Sequence, residues 1–218
     1  MIDIDTLLKT DEDVSQWKKS IRSGMKLTSL KTTYKLLAIG VAFLCNFVGT
    51  AMAYEEPSYE LINSNAVYEI RKYSDRLAVK TIHSSGENGA FRRLFNYISG
   101  ANQSSSKIAM TIPVMQSNDD NGMAMHFFLP SNYTKETAPV PKAENVSLVT
   151  FTGGYYAVIK YSGRSTDANF RNHAQMLNEA LYKDGIHTLR RPIKATYNGP
   201  LTPFFLRRNE AMYQVEWK

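Results

Sequence analysis

The sequence predicts an α+β domain of two ββαββ units, their strands pairing into one antiparallel sheet or distorted barrel with two helices outside. Three observations carry this. Short apolar runs bounded by turn residues recur along the chain after residue 54. Two stripes of helical spacing interrupt them. The second set echoes the first: Ala78-Val79-Lys80 against Ala157-Val158-Ile159-Lys160, and Ala90-Phe91-Arg92 against Asn169-Phe170-Arg171.

Residues 1–53 read as an N-terminal extension and targeting segment. Leu36 to Ala53 carry no charge, Lys26, Lys31 and Lys35 precede them, and Ala51-Met52-Ala53 forms a small-x-small cleavage pattern. A cleaved signal peptide is the leading expectation and an uncleaved membrane anchor the alternative. Cys45 as a lipoprotein cysteine is weaker, because Phe43 and Leu44 are bulky just before it. Met25 opens a compact leader, which makes it a candidate start. The expected location is secreted or periplasmic.

Residues 54–218 form the expected domain. Ala66 to Tyr73 reads as a strand, and Leu77 to His83 as its hairpin partner across Asp75-Arg76. Ser84 to Asn88 breaks the run with helix-cap chemistry. Phe91, Leu94, Phe95 and Ile98 then mark an amphipathic helix ended by Gly100. Lys107 to Met115 reads as a strand whose Pro113 implies an edge or bulge. Asp119 to Gly122 turns it into Met123 to Pro130. Val146 to Phe151 and Tyr155 to Tyr161 meet at Gly153-Gly154. Ser165-Thr166-Asp167 offers an N-cap to a second helix carrying Phe170, Ala174, Leu177 and Leu181 and stopped by Gly185. Ile193 to Tyr197 and Ala211 to Trp217 are the last strands.

Composition narrows the function. The 218 residues are 43% hydrophobic and 21% charged, which excludes a disordered tail. A single Cys excludes a disulfide framework and a thiolate metal site. The net charge of +6 is spread out: the basic doublets Arg92-Arg93, Arg190-Arg191 and Arg207-Arg208 stand far apart, so no nucleic-acid stripe is expected. Neither a nucleophile elbow nor a His-Glu-x-x-His helix nor a phosphate loop is present, and no enzyme is expected. What stands out is Met110, Met115, Met123 and Met125 on two neighbouring strands, since thioethers suit adaptable apolar pockets. His83 and His126 are candidate iron ligands through neutral imidazole.

Four segments also resemble the SOUL haem-binding protein family in order and spacing: Tyr68 to Tyr73, Lys107 to Val114, Tyr197 to Pro200, and Arg207 to Glu210. The resemblance spans about residues 57–217. It implies a distorted antiparallel barrel flanked by two helices, with haem or another tetrapyrrole in a shallow apolar groove. Some members carry an axial-ligand His in the first motif; here that position is Lys72. Without it, the resemblance points to apolar contact plus cations at the propionates, for which Arg71, Lys72, Arg92 and Arg93 are the candidates. The resulting expectation is an exported haem or porphyrin carrier or buffer, touching a membrane only through an uncleaved leader. A general module for hydrophobic small molecules is the alternative. The family is similar in architecture to gyrase-inhibitor-like effector-binding domains, whose groove acid would here be Glu69.

Overall fold

The computed structural model describes residues 54–83, 89–119 and 122–218. The signal, anchor, Met25 and Cys45 readings lie outside the described residues, as do the Ser84–Asn88 cap cluster and residues 120–121 of the turn. The elements run β1 (Tyr59–Ser64), β2 (Glu69–Tyr73), β3 (Arg76–His83), α1 (Ala90–Ile98), β4 (Val114–Asp119), β5 (Gly122–Phe128), β6 (Ser147–Phe151), β7 (Gly154–Tyr161), α2 (Asp167–Lys183), β8 (Ile193–Thr196) and β9 (Asn209–Gln214). Among the described residues no helix is long and apolar enough to cross a membrane.

The strands form one antiparallel sheet in the order β1-β2-β7-β9-β8-β4-β5-β3-β6. It curls into a half-barrel, and its end strands β1 and β6 do not pair, so the expected barrel stays open. The expected hairpin between residues 66–73 and 77–83 is overturned. Strand β2 pairs with β1 and β7, while β3 pairs with β5 and β6. Side-chain alternation tells which face a residue takes and leaves its partner strand open. Gly153 shows how close the crossing is: a Cβ there would lie 2.5 Å from the Tyr73 carbonyl oxygen.

Strand bounds also differ from expectation, and one strand is new. Residues 107–113 are not ladder strand; the β4 ladder begins at Val114, after Pro113, which has no N–H to donate. Strand β1 was not expected at all. It is an exposed edge with a register shift between Leu61 and Asn63, the kind of irregularity that blunts an open sheet edge.

Each helix covers the convex face. In α2, Leu177 and Leu181 pack on Ile159 and Ala211. The cap is as expected: Thr166 Oγ1 accepts from the Asn169 N–H at 3.2 Å. In α1, Leu94 and Ile98 pack on Val79 and Phe127. The α1 stripe differs from expectation. Ala90, Leu94, Tyr97 and Ile98 are buried, whereas Phe91 and Phe95 stay 46% and 48% exposed and stack on each other at 6.1 Å. The concave face has its own apolar layer, including Ala78, Met115, Phe128, Val158, Ala195 and Met212.

Candidate functional site on the concave face

The two ends of the concave face have different chemistry. At the β2–β9 end, Arg71 is 1% exposed and Glu210 is 0%. The Arg71 guanidinium donates to Glu210 at 3.1 and 3.3 Å, to Tyr73 Oη at 2.9 Å and to Glu69 at 2.7 Å. Tyr197 Oη donates to Glu210 at 2.7 Å. Burial opposes the charge on Arg71, but the Glu210 carboxylate and the Tyr73 hydroxyl together outweigh it and raise the guanidinium pKa. Burial drives the Tyr73 and Tyr197 phenols upward, so both stay neutral, Tyr73 as an acceptor from Arg71 and Tyr197 as a donor to Glu210. Burial also opposes ionisation of Glu69, but hydrogen bonds from Lys160 and Arg71 hold it below the usual carboxylate range.

Toward the other end the face opens into a trough of about 880 Å³, lined by Lys80, His126, Phe151, Tyr156, Arg190 and Arg191 among others. His126 meets Phe151 edge-on at 5.5 Å, and Phe151 stacks with Tyr156 at 6.5 Å. Burial lifts the Tyr156 phenol to about 12 against the opposing charge of Arg190. Arg190 and Arg191 are exposed and have no carboxylate partner among the described residues. A deeper pit beside it, lined by Pro57, Met115, Phe128 and Met212, shares Phe151 and Tyr156 with the trough but encloses only about 20 Å³. That volume suits a water-sized guest. The trough falls within the range of about 300–1,000 Å³ that small-molecule sites occupy.

The residues expected from sequence are divided by the sheet. His126 lines the trough and Met115 the pit. His83 and Met125 lie on the convex side, in a cleft with Phe91 and Phe170. There Lys194 is spent on Asp167 at 3.1 Å and on the Ser165 carbonyl at 2.9 Å. Met110 packs into the α1 cluster. Arg92 is exposed on α1, and Lys72 is exposed with its Nζ 5.6 Å from the Tyr155 ring centre. Arg93 holds Thr81 at 3.0 Å. Arg71 is corrected: its donors are committed to its own chain, which leaves it no fork for a ligand carboxylate. Sequence reasoning missed Lys80, Arg190, Arg191, Phe151 and Tyr156. The Arg190-Arg191 doublet was the available signal, read only as dispersed charge.

The sequence pattern of the SOUL heme-binding protein family matches residues 54–214. The chain belongs to the SOUL haem-binding protein family. Haem is the ligand of that family. No curated protein matches this SOUL chain in sequence. Among solved structures it is similar to the EcmrR C-terminal domain, at 13% identity and TM-score 0.52, covering 73% of this chain and 99% of that one. It is also similar to a hydrolase from Listeria innocua, at 10% identity and TM-score 0.50, covering 71% and 94%. An uncharacterized conserved protein from Listeria innocua shares 12% identity with TM-score 0.51, covering 76% and 94%. At such identities the likeness is one of fold.

In this SOUL domain the motifs around Tyr68–Tyr73 and Arg207–Glu210 meet, because Arg71 and Glu210 are partners across 139 positions of sequence. The trough's residues fit haem in kind. Aromatic and apolar walls suit the macrocycle, guanidinium and ammonium groups suit its carboxylates, and His126 offers an imidazole at the wall.

Proposed function

We propose that the chain is an exported haem- or tetrapyrrole-binding protein that carries or buffers its ligand in the concave trough. The carrying observation is the pairing there of aromatic walls with two arginines that no carboxylate neutralises among the described residues. Arg190, Arg191 and Lys80 are the proposed propionate partners. Phe151 and Tyr156 are the proposed macrocycle contacts, and His126 is the proposed iron-facing group. When bound, haem supplies an iron centre and a chromophore; the chain supplies orientation and exclusion of water. Residues 1–53 are proposed to direct export, by cleavage after Ala53 or by anchoring.

The duplicated ββαββ reading belongs to this proposal. It is supported by the strand order β2-β7-β9-β8-β4-β5-β3-β6, which maps onto itself when β2, β7, β9 and β8 exchange with β6, β3, β5 and β4. The alternative, a general module for hydrophobic small molecules, is disfavoured where the ligand is cationic. The buried acid of the concave face, Glu210, already faces Arg71, and Glu69 is held by Lys160 and Arg71.

Titrating the full chain with hemin and following the Soret band tests the reading. Saturable binding at one to one is expected, with His126→Ala shifting the band position. A flat difference spectrum sinks it. N-terminal sequencing of the exported protein tests the leader: a start at Tyr54 is expected for cleavage.

A further inference from the structure

The connection between β8 and β9 carries an exposed apolar cluster that ligand binding in the trough does not use. Leu201 is 98% exposed, and Phe204, Phe205 and Leu206 are each at least half exposed. Side chains of this size cost free energy in water, and four within six residues make a patch rather than scattered exposure.

The turn that holds them is stiffened from within. Arg207 donates from Nε to the Thr202 carbonyl at 2.8 Å and from Nη2 to the Pro200 carbonyl at 2.6 Å. The Thr202 N–H donates to the Gly199 carbonyl, and the Leu206 N–H to that of Pro203. The Phe204 carbonyl accepts from Gly163 and Arg207. Pro200 and Pro203 have no N–H to satisfy. Each backbone group paired in this way lowers the cost of bringing the segment to an apolar phase.

Positive charge rings the patch. The Arg164 guanidinium lies 5.7 Å from the Phe204 ring centre. Arg164 and Arg207 have no carboxylate partner among the described residues, whereas Arg208 is paired with Glu56 at 2.6 Å. Apolar tips flanked by uncompensated guanidinium groups are the combination that a negatively charged lipid surface attracts. The nearly complete exposure of Leu201 marks a projection. A deformable lipid surface accepts a projection that a protein partner would have to match with a recess.

We propose that the turn at residues 199–207 docks the domain on an anionic bilayer. Leu201, Phe204, Phe205 and Leu206 sit among the lipid headgroups and upper acyl chains, and Arg164 and Arg207 lie against lipid phosphates.

The test uses the full chain with Cys45→Ser and an environment-sensitive NBD label at Leu201→Cys. A second protein carries the label at Lys135→Cys, an exposed position on the connection after β5. Vesicles of phosphatidylcholine alone are compared with vesicles of equimolar phosphatidylcholine and phosphatidylglycerol. The expected result is a blue-shifted, several-fold brighter emission at position 201 with the anionic vesicles only, and no change at position 135. Arg164→Glu is expected to weaken the response about tenfold, and raised salt to weaken it further. Three results overturn the proposal: a water-like emission at 201 while the chain floats with the vesicles, equal responses at 201 and 135, or a blue shift without vesicles that grows with protein concentration. The last assigns the turn to a second copy of the chain.

Discussion

The two ends of the concave face are built from the same kinds of residue and put them to opposite uses. At the β2–β9 end, arginine and glutamate are buried together, with tyrosine hydroxyls completing the network. At the trough end, Arg190 and Arg191 have open space where Arg71 has a carboxylate. Buried charge is tolerated only when paired and hydrogen-bonded. The first end is therefore architecture. Arg190 and Arg191, beside an aromatic wall and without a carboxylate partner among the described residues, suit the external acid proposed for them. Having an arginine on the right face does not mark a ligand site; the absence of an internal counter-charge does.

Breaking the architectural end has the largest expected effect. Arg71→Met leaves the buried Glu210 with only its longer ion-pair contact to Arg208, at 3.6 Å, and should cost about 3–5 kcal/mol of folding stability in urea titrations. Arg71→Met combined with Glu210→Leu should recover much of that loss, since an apolar pair of similar volume often replaces a buried ion pair without penalty. A small effect of the single variant would erase the distinction between the two ends.

The trough end should behave in the opposite way. Arg190→Glu with Arg191→Glu should change stability by no more than about 0.5 kcal/mol, the usual range for surface substitutions. The α2 cap sets an intermediate scale: Thr166→Ala should cost about 1 kcal/mol without altering ligand affinity, measured by urea titration and hemin titration side by side.

The smallest effect concerns pH. The Glu69 carboxyl is held below its ordinary pKa in the folded chain. Its contribution is complete above the ordinary glutamate range and is lost as pH falls through the depressed folded value. Glu69→Gln should therefore flatten the acid side of a stability–pH curve and leave the neutral region unchanged in shape. An unchanged acid limb would show that the Lys160 and Arg71 contacts add nothing.

Much of the fold was legible because periodicity and caps are local. The α2 stripe of Ala174, Leu177 and Leu181 and the Thr166 cap are written within one segment. Strand pairing is written between segments: nothing in residues 66–83 alone says that β2 pairs with β7, some 80 residues away. Strand β1 escaped because an exposed edge needs no apolar alternation. Spacing puts Phe91 and Phe95 on one face with Leu94 and Ile98, yet α1 buries Leu94 and Ile98 with Ala90 and Tyr97 and leaves the two phenylalanines half-exposed. The site was less legible than the fold. Met115 and His126 are on the concave face, while Met125, next to His126 on β5, and His83, on the neighbouring β3, face the convex cleft. Arg71 was found for the wrong reason: its motif is held by Glu210, a partner from the far end of the chain.

A paired hemin titration of the full chain tests the central claim most directly, comparing Arg190→Glu/Arg191→Glu in the trough with Lys72→Glu/Arg92→Glu outside it. Charge-assisted hydrogen bonds contribute about 1.5–3 kcal/mol, so the trough variant should lose roughly tenfold to a hundredfold in affinity. The outer variant should bind like the parent. Equal losses in the two, or a loss confined to the outer variant, would contradict the assignment of haem to the concave trough.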